Sequence, residues 1–242
     1  MTENNLNNCS RIYFLPGNAR TFLNCFDSLY ENVIDKLFEN NNIKNTHVLF
    51  YLKCDNSGEN KYTSKMVKKV TNKSFKYEAI EEDTLKNGIE NFKKKYNNIT
   101  FHTKILSTNE ISDDDLLSQV KSRNLYDGIF SEDNILLRAL HCHYNIEQCG
   151  KIIDKLQIDN KMLFDYFIYV RPDLLFTEPC NNIKYFKQNK IINARKRKKA
   201  IDDYMAIVPK KFKSNFFEDR MKLIRNNIKF KFTMPEEIYW FT

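Results

Sequence analysis

Near the start of the chain an apolar strand run, a helical stripe and a second apolar run follow one another, and this order constrains the fold more than any other feature. "RIYFLPG" (Arg11 to Gly17) reads as a buried strand that runs straight into a Pro-Gly turn. The segment after it places Phe22, Cys25, Phe26, Leu29, Val33, Leu37 and Phe38 at spacings of three and four, which predicts an amphipathic helix packed on a sheet. "THVLFYLKCD" (Thr46 to Asp55) is a near-continuous apolar run, as expected of a strand covered on both faces. Strand, helix and strand at this spacing form a βαβ unit.

The alternation continues. Ser57 to Val70 reads as a polar, basic loop with a short helix, "FKYEAI" as a strand, Glu82 to Tyr96 as a charged helix and Ile99 to Leu106 as another strand. "NEISDDDLLSQVKS" predicts a capped helix with acids in its first turn, and Ser131 to Leu156 a helix of about six or seven turns. "FDYFIYV" (Phe164 to Val170) is an apolar strand ended by Arg171-Pro172-Asp173, because proline stops the ladder. "KIINA" (Lys190 to Ala194) and "YMAIVP" (Tyr204 to Pro209) are two more strands. A helix over Lys211 to Asn226, the strand "KFKFT" and a short element opened by Pro235-Glu236-Glu237 complete the chain.

With 242 residues and no linker or repeat, one domain is expected over residues 1–242, with 1–9 as a flexible N-terminal arm. Hydrophobic residues at 42% and aromatics at 14% exclude a disordered chain despite 29% charged residues. No apolar stretch reaches the roughly 20 residues that cross a bilayer, and the first residues lack a basic n-region and an apolar h-region, so a soluble, cytoplasmic protein is expected. Six scattered cysteines lack the density of a disulfide scaffold, which predicts reduced thiols. A net charge of +8 favours anionic ligands.

In an open α/β sheet the ligand sits outside the carboxyl ends of the strands, so polar residues at strand ends carry the interest. Three sets stand there. Gly17, Asn18, Arg20 and Thr21 open a helix in a way that suits a diphosphate: glycine permits close backbone approach and a guanidinium grips two phosphate oxygens. The same residues equally suit a plain helix cap with a solvated arginine. Asp173, beside Arg171, is placed to hold Mg²⁺ or Mn²⁺, which take one or two carboxylates and complete their shell with substrate phosphates; alternatively the two side chains pair with each other. Asp202 and Asp203 form an acidic pair in a basic neighbourhood, suited to accept a proton from an attacking hydroxyl or simply to balance adjacent lysines.

Other clusters read as structure. Asp113, Asp114 and Asp115 precede "LLSQV" and fit a helix start better than a metal cluster. His141 and His143 are two apart on a helix and point to different sides, which argues against zinc with Cys142 and Cys149. The basic run Arg195 to Lys199 keeps a nucleic-acid-binding module in view as the competing class, although basic residues are otherwise dispersed and no recognised nucleic-acid motif is present.

Taken in order, "IYFLPGNARTF", "FDYFIYVRPDLLF", "IDDYMAIVPKKF" and "MPEEIYW" resemble a set of GT-A-type glycosyltransferases met in bacterial surface-polysaccharide clusters and giant viruses. Gly17, Arg20, Thr21 and Phe22 match its Gly-x-x-Arg-Thr-Phe turn, and Arg171, Asp173 and Leu174 match its Arg-x-Asp-Leu. The third element departs: Asp202 stands where Asn is usual and Tyr204 where Gln is usual, while Asp203 keeps the acid. The resemblance implies a GT-A-like (Rossmann-like) three-layer α/β/α sandwich with a central, mainly parallel mixed sheet. It further implies a nucleotide-sugar donor, a divalent metal (Mn²⁺ or Mg²⁺) and transfer of one sugar to a hydroxyl of a carbohydrate or glycoprotein acceptor. By the same analogy Asp173 is the metal ligand, either holding the ion loosely or with donor-binding Arg171 replacing part of its charge, while Arg20 holds the diphosphate and Asp55 contacts base or ribose. Asp203, beside Asp202, is the acceptor-activating or sugar-binding acid, with Glu236 in reserve. The alternatives are the nucleic-acid-binding module and a catalytically inactive transferase fold kept as a binding protein.

Overall fold

The computed structural model describes residues 9–38, 45–54, 80–119, 133–186, 189–193 and 204–226. Its centre is a six-stranded sheet ordered β3-β2-β1-β4-β6-β5, built from β1 (Arg11–Asn18), β2 (Thr46–Lys53), β3 (Thr100–Leu106), β4 (Tyr166–Val170), β5 (Ile192–Asn193) and β6 (Met205–Pro209). The first four strands are parallel; β6 runs antiparallel to both β4 and β5. The fold is thus α/β with a mixed, mainly parallel sheet, compatible with a Rossmann-like arrangement.

Period-two alternation sends successive side chains of each strand to opposite faces. Tyr13, Leu15, Val48, Phe50, Leu52, Ile168 and Val170 face one layer, where they meet α1 (Phe22–Leu29) and α2 (Glu82–Lys95). Ile12, Phe14, Leu49, Phe167 and Val208 face the other, where they meet α4 (Asp133–Asp159) and α5 (Lys213–Phe217). Helices therefore cover both faces. A shorter helix, α3 (Asp113–Ser118), precedes α4, and α6 (Asp219–Arg225) follows α5.

The predicted stripe of the first helix is buried at every position from Phe22 to Phe38, but the helix is not uniform. After α1 the chain passes through a π-turn (Tyr30–Ile34) and one last turn (Asp35–Leu37). Its rings interlock with the sheet and with α2: Phe22 lies 5.0 Å from Phe50, and Phe26 lies 4.7 Å from Phe92, centroid to centroid. On the opposite face Phe14 lies 4.9 Å from Phe217.

Three differences from the sequence reading matter. The strand expected from Phe164 begins at Tyr166, while Phe164 itself is buried just before it. The helix expected over Lys211 to Asn226 is instead a 3-10 turn (Lys210–Phe212), α5 and α6. Its break falls at Glu218, immediately after the consecutive rings of Phe216 and Phe217 are both drawn into the core. The strands expected at "FKYEAI" and "KFKFT", and the element at Pro235, lie outside the described residues apart from Ile80.

All six cysteines are free thiols. No helix among the described residues is long and apolar enough to cross a membrane.

Candidate functional site

The chain steps from β1 outward to β2 and β3, then crosses back to place β4 on the other side of β1. The carboxyl ends of β1 and β4 therefore flank the point where the winding reverses, the usual position of a ligand crevice in such sheets. Two prolines stand beside it. The β1–β4 ladder ends at Phe14 with Tyr169, whereas β1 goes on pairing with β2 as far as Asn18. Pro16 lies just beyond that last β1–β4 pair and Pro172 follows β4, so neither strand extends the ladder across the gap.

On the β1 side Gly17 has φ +148°, a backbone conformation that favours glycine. A methyl group placed on it would lie 3.2 Å from Pro172 Cγ, so the two strand ends touch through this position. Ala19 donates its N–H to the Lys53 carbonyl at 2.9 Å and is buried, which anchors the turn against β2. Arg20 and Thr21 are half-buried on that turn. Thr21 occupies the N-cap position of α1, but its side chain makes no capping hydrogen bond, and its hydroxyl instead accepts from the Cys25 thiol at 3.7 Å.

On the β4 side Arg171 donates its backbone N–H to the Tyr204 carbonyl at 2.9 Å. Its guanidinium lies 5.5 Å from the Tyr204 ring centroid. Its Nε donates to Asp173 Oδ1 at 3.0 Å and its Nη2 to Oδ2 at 2.9 Å, a two-pronged charge-assisted pair. Both side chains keep some contact with solvent, 34% exposed for Arg171 and 22% for Asp173. Burial pushes the Cys25 thiol up; the Thr21 hydrogen bond opposes this, and the nearby charge of Asp173 adds to it.

Gly17, Asn18, Arg20, Thr21, Arg171 and Asp173 are thus gathered at one edge by the pairing of β1 with β4. Asp202, Asp203, Asp55, Glu236 and the run Arg195 to Lys199 lie outside the described residues. Tyr204, the residue after Asp203, stands at this edge because β6 enters antiparallel, with Met205 opposite Val170. Sequence reasoning missed Pro172 as the packing partner of Gly17 and Cys25 as a neighbour of the site.

A divalent ion at Asp173 would need at least one of the two oxygens that already accept from Arg171. Among the described residues no group of three or more His, Cys, Asp or Glu side chains converges. Asp173 is the one predicted metal ligand among the described residues, and its charge is already matched by Arg171.

Elsewhere on the α4 side the acids serve structure. Ser112 accepts the Asp115 N–H at 3.0 Å and donates its hydroxyl to Asp115 Oδ2 at 2.6 Å, fixing the start of α3. His141 meets Asp113 at 2.7 Å, while His143 turns inward and is buried. Tyr51 donates its hydroxyl to Glu110, which also pairs with Lys104 at 2.9 Å.

Compared with family models, curated proteins and solved structures, the chain matches none.

Proposed function

We propose that the β1–β4 crevice binds a nucleoside-diphosphate sugar and that the protein transfers the sugar to a hydroxyl of a carbohydrate or glycoprotein acceptor. The observation that carries this reading is the placement of two arginines, Arg20 and Arg171, on the two strand ends that flank the reversal of winding, beside the permissive backbone of Gly17. Fixed guanidinium charges suit phosphate oxygens, and a backbone without a Cβ lets them come close.

In the reaction the acceptor oxygen forms a bond to the anomeric carbon. The bond from that carbon to the β-phosphate oxygen breaks, its electron pair leaves with the nucleoside diphosphate, and the acceptor proton passes to a carboxylate. Asp203 and Asp202 are the candidates for that carboxylate on the resemblance. The leaving diphosphate gains one negative charge in this step, and positive groups held at the crevice stabilise it.

Thermal shift and donor hydrolysis with UDP-, GDP-, CMP- and dTDP-sugars test the reading, on the wild type and on Arg20→Ala. One nucleotide class should raise the melting temperature and lose most of that effect in the variant. A flat response to all four overturns it and turns attention to the basic nucleic-acid-binding module, whose binding would fall steeply with salt.

A further inference from the structure

Resting on the nucleotide-sugar reading above, we propose that the Arg171 guanidinium, held in place by Asp173, takes the charge of the donor diphosphate and that donor binding needs no divalent ion. Asp173 is then a positioning residue that acts through Arg171.

Both carboxylate oxygens of Asp173 are engaged, at 3.0 and 2.9 Å, by Nε and Nη2 of one guanidinium. Mg²⁺ binds oxygen at about 2.0–2.1 Å and demands near-octahedral geometry, so seating it on the remaining lone pairs of Asp173 brings a dication against a guanidinium that already neutralises this carboxylate. A guanidinium stays protonated throughout the accessible pH range and offers donors in a plane that matches phosphate. The unit is also rigid. The Arg171 N–H is tied to the Tyr204 carbonyl, the Tyr204 ring lies near the guanidinium, and buried Pro172 separates the two charged residues while packing on Gly17. A cation fixed before the ligand arrives needs little reorganisation when negative charge develops on the leaving group.

The experiment measures binding of UDP, GDP and dTDP, each alone, by calorimetry, in EDTA and in Mn²⁺ at matched ionic strength, together with the electron paramagnetic resonance signal of Mn²⁺. Wild type, Arg171→Lys and Asp173→Asn are compared, with unliganded melting temperatures as the folding control. The expected result is a dissociation constant that agrees within twofold between EDTA and Mn²⁺ for the nucleotide that binds. Arg171→Lys should weaken binding tenfold or more, and Asp173→Asn three- to tenfold, with Mn²⁺ restoring neither. The Mn²⁺ signal should match that of nucleotide and Mn²⁺ without protein. Binding that requires Mn²⁺, with a protein-immobilised Mn²⁺ signal lost in Asp173→Asn, overturns the inference and leaves the transferase reading standing. Absence of binding in both buffers overturns both. Should a variant fail to fold, the wild-type comparison of EDTA with Mn²⁺ decides alone.

Discussion

Gly17 and Pro172 meet so closely that a Cβ on the glycine would lie 3.2 Å from Pro172 Cγ and 3.3 Å from Cδ. With φ at +148° the glycine is also in a conformation that other residues rarely adopt. Gly17→Ala therefore adds backbone strain and a tight contact at the mouth of the crevice. We expect a loss of about 1–3 kcal/mol in urea unfolding and weaker nucleotide binding. An unchanged midpoint with unchanged binding would refute the contact's importance.

Gly150 in α4 lies over Phe217, where an added Cβ would sit 2.8 Å from the phenylalanine Cβ and 2.9 Å from its ring. Alanine favours a helix interior by about 1 kcal/mol over glycine, so propensity alone predicts stabilisation. Overpacking against a fully embedded ring should win, because Phe217 is 1% exposed and touches Phe14, Phe167 and Phe216. Gly150→Ala should lose roughly 1–3 kcal/mol by chemical denaturation. A gain in stability would mean that Phe217 has room to shift.

His47 and His102, on neighbouring strands, share a hydrogen bond of 3.0 Å between ring nitrogens. Burial, reinforced by His102, pulls His47 down to about 4, and burial lowers His102 as well. Both rings stay neutral in the fold while the unfolded chain takes up protons below about pH 6.5. Stability should accordingly fall as pH drops from about 6.5 towards 4, by roughly 1–2 kcal/mol after discounting the rings' partial exposure. Histidine proton chemical shifts are the direct check; a His47 midpoint near 6.5 would remove the effect. Glu110 acts in a lower window: burial raises it, but Tyr51 and Lys104 pull it below the usual carboxylate value, so its contribution is lost in stronger acid.

Arg225 at the end of α6 donates Nη1 and Nη2 to Glu147 at 2.7 and 2.9 Å, and Nε to Gln119 at 2.9 Å. The Glu147 side chain is only 10% exposed, so replacing it by glutamine removes the charge and one of the three acceptors that the guanidinium meets. Glu147→Gln should cost about 1–3 kcal/mol and speed amide exchange in α6. If exchange in α6 is unchanged, the helix is held by Met221 and its apolar contacts alone.

The order of elements was legible because burial on two faces writes itself into the residues: the stripe from Phe22 to Phe38 and the solid runs of β1, β2 and β4 leave few alternatives. Direction was not legible. "YMAIVP" has the same apolar content whether it runs with β4 or against it, and only the distant pairing of Val170 with Met205 decides. The break at Glu218 is hidden for a similar reason, since Phe216, Phe217 and Met221 all carry the apolar character of one continuous helix. At the site, Arg171 and Asp173 were found from their place after a strand. Their mutual engagement depends on rotamers that spacing leaves open, and the packing of Pro172 on Gly17 depends on a strand more than a hundred residues away in sequence.

The antiparallel entry of β6 has one more consequence. Asn193 of β5 sits opposite Ala206 of β6, so the two ends of the connection between these strands are held side by side. Closing a loop on fixed ends costs little more as the loop lengthens, about 0.6 kcal/mol for each doubling. A connection between ends held this close therefore tolerates added length at small cost while β5 and β6 keep their pairing. Insertions between Asn193 and Tyr204 are expected to leave the melting temperature nearly unchanged, which sets the demands of the sheet apart from whatever chemistry that stretch performs.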